Sequence, residues 1–281
     1  IFFIGIGGMG MSSLAEYFIN ENKNVSGYDR DVSENTNRLE NLGINILFND
    51  SFNDINSRFI DKDDTLIVYT PAIPDSNNLL IEFRSKEFNC LKRAEVLGLV
   101  VRKGKCIAIA GTHGKTTTAS ILAHILNSSN ILTTSFIGGI LENYNTNFLY
   151  NGNKLFLVEA DEYDRSFLEL TPNYACITSI DSDHLDIYND FEGVKKGFVS
   201  FINNIEKNGF LIIQENLEFN HPKYGFNPNS DYYIENIRIN DGSYLFDIVT
   251  PESKYNNIIF SVSGKHNLLN ALAACIISIE L

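Results

Sequence analysis

The sequence has 281 residues, of which 44% are hydrophobic and 20% charged, and its formal net charge is -13. That length exceeds one ordinary domain and suits two, and the balance is that of a soluble globular chain rather than a disordered or membrane-spanning one. The acidic excess argues against nucleic acid as a partner but leaves phosphate ligands open, because glycine-rich loops hold phosphate with backbone N–H groups whatever the global charge.

In chain order, Ile1 to Ile6 reads as a short apolar strand, Gly5 to Gly10 as a tight loop, and Met11 to Asn22 as a helix with Ser12 or Ser13 near its start. Strands are predicted at Asn24 to Tyr28, Ile44 to Phe48 and Thr65 to Tyr69, with a helical stretch at Arg38 to Leu42 and a turn at Thr70 to Pro74. The polar segment Val101 to Lys105 marks a domain boundary, placed after residue 103. Beyond it come a strand at Cys106 to Ala110, a glycine loop, and a helix from about Lys115 to Asn127. Strands follow at Leu155 to Glu159, Ala175 to Ile180 and Lys207 to Gln214. Pro222 to Pro251 reads as a small antiparallel insertion, and Gly264 to Leu281 as a helix starting at His266-Asn267. Alternating strands and helices define an α/β chain: a Rossmann-like parallel-sheet domain over residues 1–103, then a P-loop-type central domain over 104–281.

Cys90, Cys106, Cys176 and Cys275 are too far apart for a CxxC pair, and three of them lie in apolar runs, which suits buried thiols in a reducing compartment. No apolar run reaches the length of a membrane span, so no membrane insertion is expected and the cytoplasm is the expected location. The opening IFFIGIGG lacks the basic lead-in and cleavage site of a secretory signal. It starts inside a strand pattern, so a few native residues are expected before it.

Gly5, Gly7 and Gly10 form G-x-G-x-x-G between a strand and a helix, with Gly8 and Met9 inside the loop. Glycines allow a sharp turn and a close backbone approach to a diphosphate at a helix N-terminus. Asp29 follows 19 residues after Gly10, at the end of the second strand, where dinucleotide folds place a ribose-binding acid. The spacing does not say which nucleotide binds. The second loop, Gly111-Thr112-His113-Gly114-Lys115-Thr116-Thr117, follows an apolar strand and opens a helix. Ile109 stands where the strict P-loop pattern has its first glycine, so Gly111 serves in a shortened variant. Backbone N–H groups of such a loop cradle phosphates, with Lys115 on the β/γ oxygens and Thr116 on Mg²⁺.

Two acidic clusters end apolar strands: Glu159-Ala160-Asp161-Glu162-Tyr163-Asp164 and Asp181-Ser182-Asp183-His184-Leu185-Asp186. Open α/β sheets bind ligands at that end. Glu159 can complete a Mg²⁺ sphere begun by Thr116, and His184 can ligate a second cation or touch a γ-phosphate. Asp161, Glu162, Asp181 and Asp186 read equally well as solvated acids, His124 as a packed structural residue and His221 as solvated.

Taken together, FIGIGGMGMS at Phe3 to Ser12, AGTHGKTTT at Ala110 to Thr118, VEADEYDRSFL at Val158 to Leu168, DSDHLDIY at Asp181 to Tyr188 and GKHNLLNALAA at Gly264 to Ala274 resemble the Mur ligase family across nearly the whole chain. The resemblance implies an ATP- and Mg²⁺-dependent ligase of peptidoglycan synthesis. It implies that Gly5, Gly7, Gly8, Met9, Gly10, Met11, Ser12 and Asp29 serve a UDP-sugar rather than NAD. It further implies that Gly111 to Thr117 hold ATP, with Lys115 catalytic; that Glu159 and His184 are catalytic and bind metal together with Thr116; and that His266, Asn267 and Asn270 hold the adenine side. Val199 stands where several relatives carry a carbamylated lysine, which fits the branch that joins L-alanine to UDP-N-acetylmuramate through an acyl phosphate. A sister ligase that attaches a tripeptide is the nearest alternative, and the wording Asp161 to Phe167 favours the alanine adder. An NAD dehydrogenase leaves the second phosphate loop without a role. A nucleotide-binding module without catalysis is a third possibility, because the family's C-terminal domain is expected to follow Leu281.

Overall fold

The computed structural model describes residues 1–181 and 191–281. Residue contacts divide the chain into two units: Ile1–Val100 with Gly138–Tyr150, and Val101–Ile137 with Asn151–Leu281. A single cut after 103 does not reproduce this division, because residues 138–150 group with the first unit.

In the first unit, β1 (Phe2–Ile4), α1 (Met9–Asn20), β2 (Ser26–Tyr28), α2 (Glu34–Asn41), β3 (Asn45–Leu47), β4 (Leu66–Tyr69), α3 (Asn78–Ser85), β5 (Asn89–Lys92) and α4 (Arg93–Val101) alternate strand with helix. The five strands form one sheet in the order β3-β2-β1-β4-β5, and every pairing is parallel. Phe2, Phe3 and Ile4 are fully buried, as a strand covered on both faces must be. Phe2, Phe59, Leu80 and Phe83 are the centre of an aromatic-aliphatic core on one face. Chain order reverses between β1 and β4, so the crevice at the carboxyl end of β1 is the natural ligand position of this sheet. The helix α2 begins at Glu34, four residues before the sequence reading, because Ser33 and Thr36 form a reciprocal cap.

The second unit is built on β6 (Lys105–Ala110), α5 (Lys115–Ser128), β7 (Thr134–Leu141), β8 (Thr146–Leu149), β9 (Leu155–Ala160), β10 (Tyr174–Ile177), β11 (Phe210–Gln214), β12 (Lys223–Gly225), β13 (Tyr232–Asn240), β14 (Ser243–Val249) and β15 (Lys254–Phe260), with helices at Phe191–Asn203 and Lys265–Glu280. The strand order is β15-β14-β13-β12-β11-β10-β6-β9-β7-β8, the last hairpin being counted with the first unit. From β13 to β7 neighbouring strands pair in parallel. Residues 106–110 of β6 are all buried, which suits its place between β10 and β9. The expected antiparallel insertion over 222–251 is a meander, β13-β14-β15, that runs to Phe260 and extends the main sheet through the parallel strand β12. The helix Lys265–Glu280 packs along α5, so the two elements that open with motifs are neighbours.

His124 is exposed rather than packed, because it falls on the outer face of α5 while Leu122, Ala123 and Leu126 turn inward. Among the described residues no helix is long and apolar enough to cross a membrane. All four cysteines are free. Burial pushes the thiols of Cys106 and Cys176 up to about 12 and that of Cys275 up to about 11. Since the thiolate is the nucleophile, an alkylating reagent at pH 8 should modify half-buried Cys90 at least about tenfold faster than Cys106 or Cys176 in the folded protein, and all four alike in denaturant. Peptide mass spectrometry after timed labelling checks this, and rapid labelling of Cys106 without unfolding would contradict its burial.

Candidate functional site

In the first unit the loop after β1 turns through Gly5, whose φ is +86°, and Gly5 and Ile6 both donate to the Tyr28 carbonyl, at 2.7 and 3.0 Å. The helix α1 starts at Met9 with Gly8 as its N-cap and no side-chain cap. Its first N–H groups, on Met9, Gly10 and Met11, therefore fall outside the helix ladder at the positive end of the dipole. The Gly7 N–H donates to Asp29 Oδ2 at 2.7 Å, and Asp31 N–H to Asp29 Oδ1 at 3.3 Å. Asp29 thus braces the loop, and its remaining lone pairs stay available to a ribose hydroxyl. A Cβ at Gly7 would stand 2.9 Å from both Asp29 Oδ2 and Thr36 Cγ2, so the glycine is needed on its inner side.

Of the residues expected to meet a UDP-sugar, Met11 and Ser12 are buried, at 2% and 0% exposure. Because the helix begins at Met9 rather than Met11, they have already turned into the stripe with Leu14, Ala15 and Phe18, and the Ser12 N–H is taken by Gly8 O at 2.8 Å. Their side chains do not line the loop mouth. Gly5, Gly7, Gly8, Met9 and Gly10 do form the turn, and Arg93 lies against Gly10, its Nη1 3.1 Å from where a Cβ would be.

Behind the loop is a polar brace that no motif announces. Arg38 pairs with Glu16 at 2.7 Å and donates to Thr146 Oγ1 and Asn147 Oδ1, each at 3.1 Å. Asn147 is fully buried and donates in turn to Met9 O at 3.0 Å and Ser13 Oγ at 2.6 Å. Burial pushes the Glu16 carboxyl above the usual range, and Arg38 opposes that shift.

In the second unit, Gly111 has a φ of +132°, and a Cβ there would strike Thr178 Oγ1 and come within 2.8 Å of Ser179 N. Thr178 Oγ1 donates to Ala110 O at 3.1 Å and His113 O at 2.5 Å. Ser179 Oγ accepts the His113 N–H at 2.8 Å, and Ser179 O accepts the Thr112 N–H at 3.1 Å. The loop is thus pinned to the residues that follow β10. Gly114, with φ +82°, caps α5, so the N–H groups of Lys115, Thr116 and Thr117 open outside the helix ladder. Asn270 Oδ1 lies 2.6 Å from where a Gly114 Cβ would be, and Asn270 Nδ2 donates to Asn267 Oδ1 at 3.1 Å. Asn267 and Asn270 therefore share a helix face beside the loop. His266 is exposed at the same helix start. A cavity of about 510 Å³ opens here, lined in part by His113, Gly114, Tyr224, His266, Leu269 and Asn270, within the usual size of a small-molecule site.

The acids divide between two partners. Thr116 Oγ1 donates to Glu159 Oε1 at 2.7 Å. Lys115 Nζ donates to both oxygens of Glu162, at 3.0 and 2.8 Å, and Glu162 is 1% exposed. Glu162 is not a solvated acid. Its signal was its position three residues after Glu159, where the chain leaves an apolar strand. Asp181 lies 3.4 Å from His113 Nε2 and is exposed. His184 and Asp186 fall in residues 182–190, outside the described residues.

The Thr116 and Glu159 oxygens fit a hard cation. Adjacent ligands of octahedral Mg²⁺ at about 2.1 Å stand about 3 Å apart, close to the separation seen here. Among the described residues no group of three or more His, Cys, Asp or Glu is gathered for a metal, so phosphate and water oxygens would complete such a sphere, as is usual for Mg²⁺.

Two α/β units, each ending its first strand in a glycine loop at a helix N-terminus, define the class of this protein: each presents backbone N–H groups of the kind that can hold phosphate. Residues 1–105 match the family model "Mur ligase family, catalytic domain" and residues 109–278 match "Mur ligase middle domain". The chain belongs to the Mur ligase family. It is 45% identical over 280 residues to the UDP-N-acetylmuramate–L-alanine ligase of Christiangramia forsetii, with 99% of this chain and 62% of that protein covered. It is 47% identical over 274 residues to the enzyme of the same name in Flavobacterium psychrophilum, with 98% and 61% covered. The chain thus spans about three-fifths of the length of these relatives. The crystal structure of UDP-N-acetylmuramate-alanine ligase from Thermotoga maritima superposes with a TM-score of 0.85 at 27% identity, covering 100% of this chain and 65% of that one.

The inner contacts of Gly7 give a direct test. Gly7→Ala should cost about 1–3 kcal/mol through overpacking against Asp29 and Thr36. Equilibrium denaturation measures it, and an unchanged midpoint would mean that those side chains give way freely.

Proposed function

We propose that this chain forms the UDP-sugar-binding and ATP-binding parts of a ligase that joins L-alanine to UDP-N-acetylmuramate in peptidoglycan synthesis. The observation that carries the ATP half of this reading is the joint placement of Lys115, the hydroxyl-carboxylate pair of Thr116 and Glu159, and the α5 N–H groups at one loop. The choice of L-alanine is supported by relatives of that name at 45–47% identity.

A carboxylate is a poor acyl donor at neutral pH, so the muramoyl carboxyl must first be activated. In this reading its oxygen attacks the γ-phosphorus of ATP, ADP leaves, and the resulting acyl phosphate is opened by the neutral amine of alanine with loss of phosphate. Such transfer depends on positioning and charge neutralisation more than on covalent participation by the protein. The backbone N–H groups at the start of α5 bind phosphate oxygens, and Lys115 places a positive charge on the transferring group. Thr116 and Glu159 would hold Mg²⁺, which neutralises phosphate charge when bound. His266 and Asn270 line the cavity, Asn270 is bonded to Asn267, and these three residues would take the adenine end. The loop Gly5 to Gly10, braced by Asp29, takes the UDP diphosphate.

In the protein of natural length, Lys115→Ala should lower turnover on the order of a thousandfold or more, since loss of charge at a transferring phosphoryl group costs several kcal/mol, and it should also lower the melting temperature, because Glu162 is left buried without its partner. Phosphate release dependent on both UDP-N-acetylmuramate and L-alanine, with the ligated product identified by mass, is the assay. Near-normal turnover in the variant would remove the phosphate-loop reading, and a tripeptide accepted in preference to alanine would move the chain to the sister activity.

A further inference from the structure

Lys115 is saturated. An ammonium carries three N–H donors, and three acceptors surround it: Gly111 O at 2.6 Å, Glu162 Oε1 at 3.0 Å and Glu162 Oε2 at 2.8 Å. The pair is largely buried, its side chains 12% and 2% exposed. A phosphate oxygen can therefore bond to Lys115 only where one acceptor withdraws. Gly111 O belongs to a loop fixed by Thr178 and Ser179, so it cannot leave without unmaking the loop. Glu162 has rotatable side-chain bonds and holds two of the three contacts.

We propose that Glu162 stands in for a nucleotide phosphate at Lys115. It keeps the ammonium charged and directed at the loop, and it surrenders one contact when a nucleoside di- or triphosphate binds. This inference rests on reading Gly111 to Thr117 as a nucleotide-phosphate loop. Glu162 is then a positioning residue with a measurable cost: a buried carboxylate beside the phosphate position weakens nucleotide binding even as it fixes the lysine. Glu159, bonded to Thr116 and not to Lys115 in the same way, lies on the cation side of the loop. The two carboxylates, three residues apart, thus act in opposite senses, one recruiting a cation for the phosphates and one competing with the phosphates for a cation already present.

The test uses the natural-length protein, with ADP in chelator as the probe so that divalent cations play no part. Glu162→Gln keeps the shape, offers one acceptor oxygen and leaves one ammonium N–H for the phosphate. Its affinity for ADP by calorimetry should rise about tenfold, the scale of one charge-assisted hydrogen bond no longer in competition. Without ADP the variant should melt at a lower temperature than wild type, and its rise in melting temperature on adding ADP should be larger. Glu162→Asp, which draws the carboxylate back by one methylene, should bind ADP with intermediate affinity and is the variant read if Glu162→Gln does not fold. Equal or weaker ADP binding in a folded Glu162 variant overturns the inference while leaving the phosphate loop in place. If instead wild type does not bind ADP, or Lys115→Ala binds it as well as wild type does, the loop reading itself fails and the inference with it.

Discussion

The second unit depends on how two hydroxyls at the end of one strand hold the loop at the end of its neighbour. β6 and β10 are parallel and in register from Ile107 and Tyr174 to Ala110 and Ile177, so their carboxyl ends emerge side by side. Thr178 and Ser179 continue directly from β10 and bond to Ala110, Thr112 and His113. Those bonds force Gly111 into a conformation that L side chains rarely adopt and leave no room for a Cβ. With the loop so shaped, α5 can start at Lys115 with its first N–H groups facing outward. An electropositive backbone surface thereby arises in a chain of net charge -13.

That surface explains why acids surround it. A helix N-terminus, a lysine and a threonine hydroxyl gather donors at this loop, and each side-chain donor has a carboxylate within reach: Glu162 on Lys115 and Glu159 on Thr116. The first unit repeats the principle with weaker charges. Asp29 accepts the Gly7 N–H, and the Arg38–Glu16 pair, with Asn147, holds the start of α1 from behind. A buried pair of this kind contributes less to net stability than to fixing geometry, since desolvation offsets most of its attraction.

Much of this was legible in the sequence, for reasons that are local. A glycine loop between an apolar strand and a helix announces itself by composition, and both loops lie where spacing put them. The runs leading to Glu159 and Ile180 are too apolar for a surface and mark strands, which end at Ala160 and at Ile177. Less legible were short strands such as β5, whose Asn89, Cys90, Leu91 and Lys92 carry no alternation, and the strands β7 and β8, for which the sequence offers no assignment. The start of α1 was misplaced by two residues because Gly8 caps it without a side chain. Asn147 carries no local signal and Glu162 reads equally well as a solvated acid for a different reason: their partners are 47 residues or more away in the chain, and no local pattern encodes so distant a contact.

The glycines carry a final point about what such motifs mean. At Gly7, Gly10, Gly111 and Gly114 the missing Cβ would meet protein atoms: Asp29 and Thr36, Arg93, Thr178, and Asn270. Gly7, Gly111 and Gly114 are therefore favoured by the loop's own inner packing before any ligand is considered, while at Gly10 a small shift of Arg93 would make room. A glycine signature thus reports loop shape with high fidelity and ligand identity hardly at all. This is why the front loop reads from its spacing as a dinucleotide site, although it lies in a family whose members are named for acting on a nucleotide sugar. The side chains set around the loops are Asp29 and Arg93 in one unit and Glu159 and Glu162 in the other, and under the proposed function ligand choice would rest on such groups. Those are the positions at which members of one fold can diverge in what they bind while keeping the same glycines.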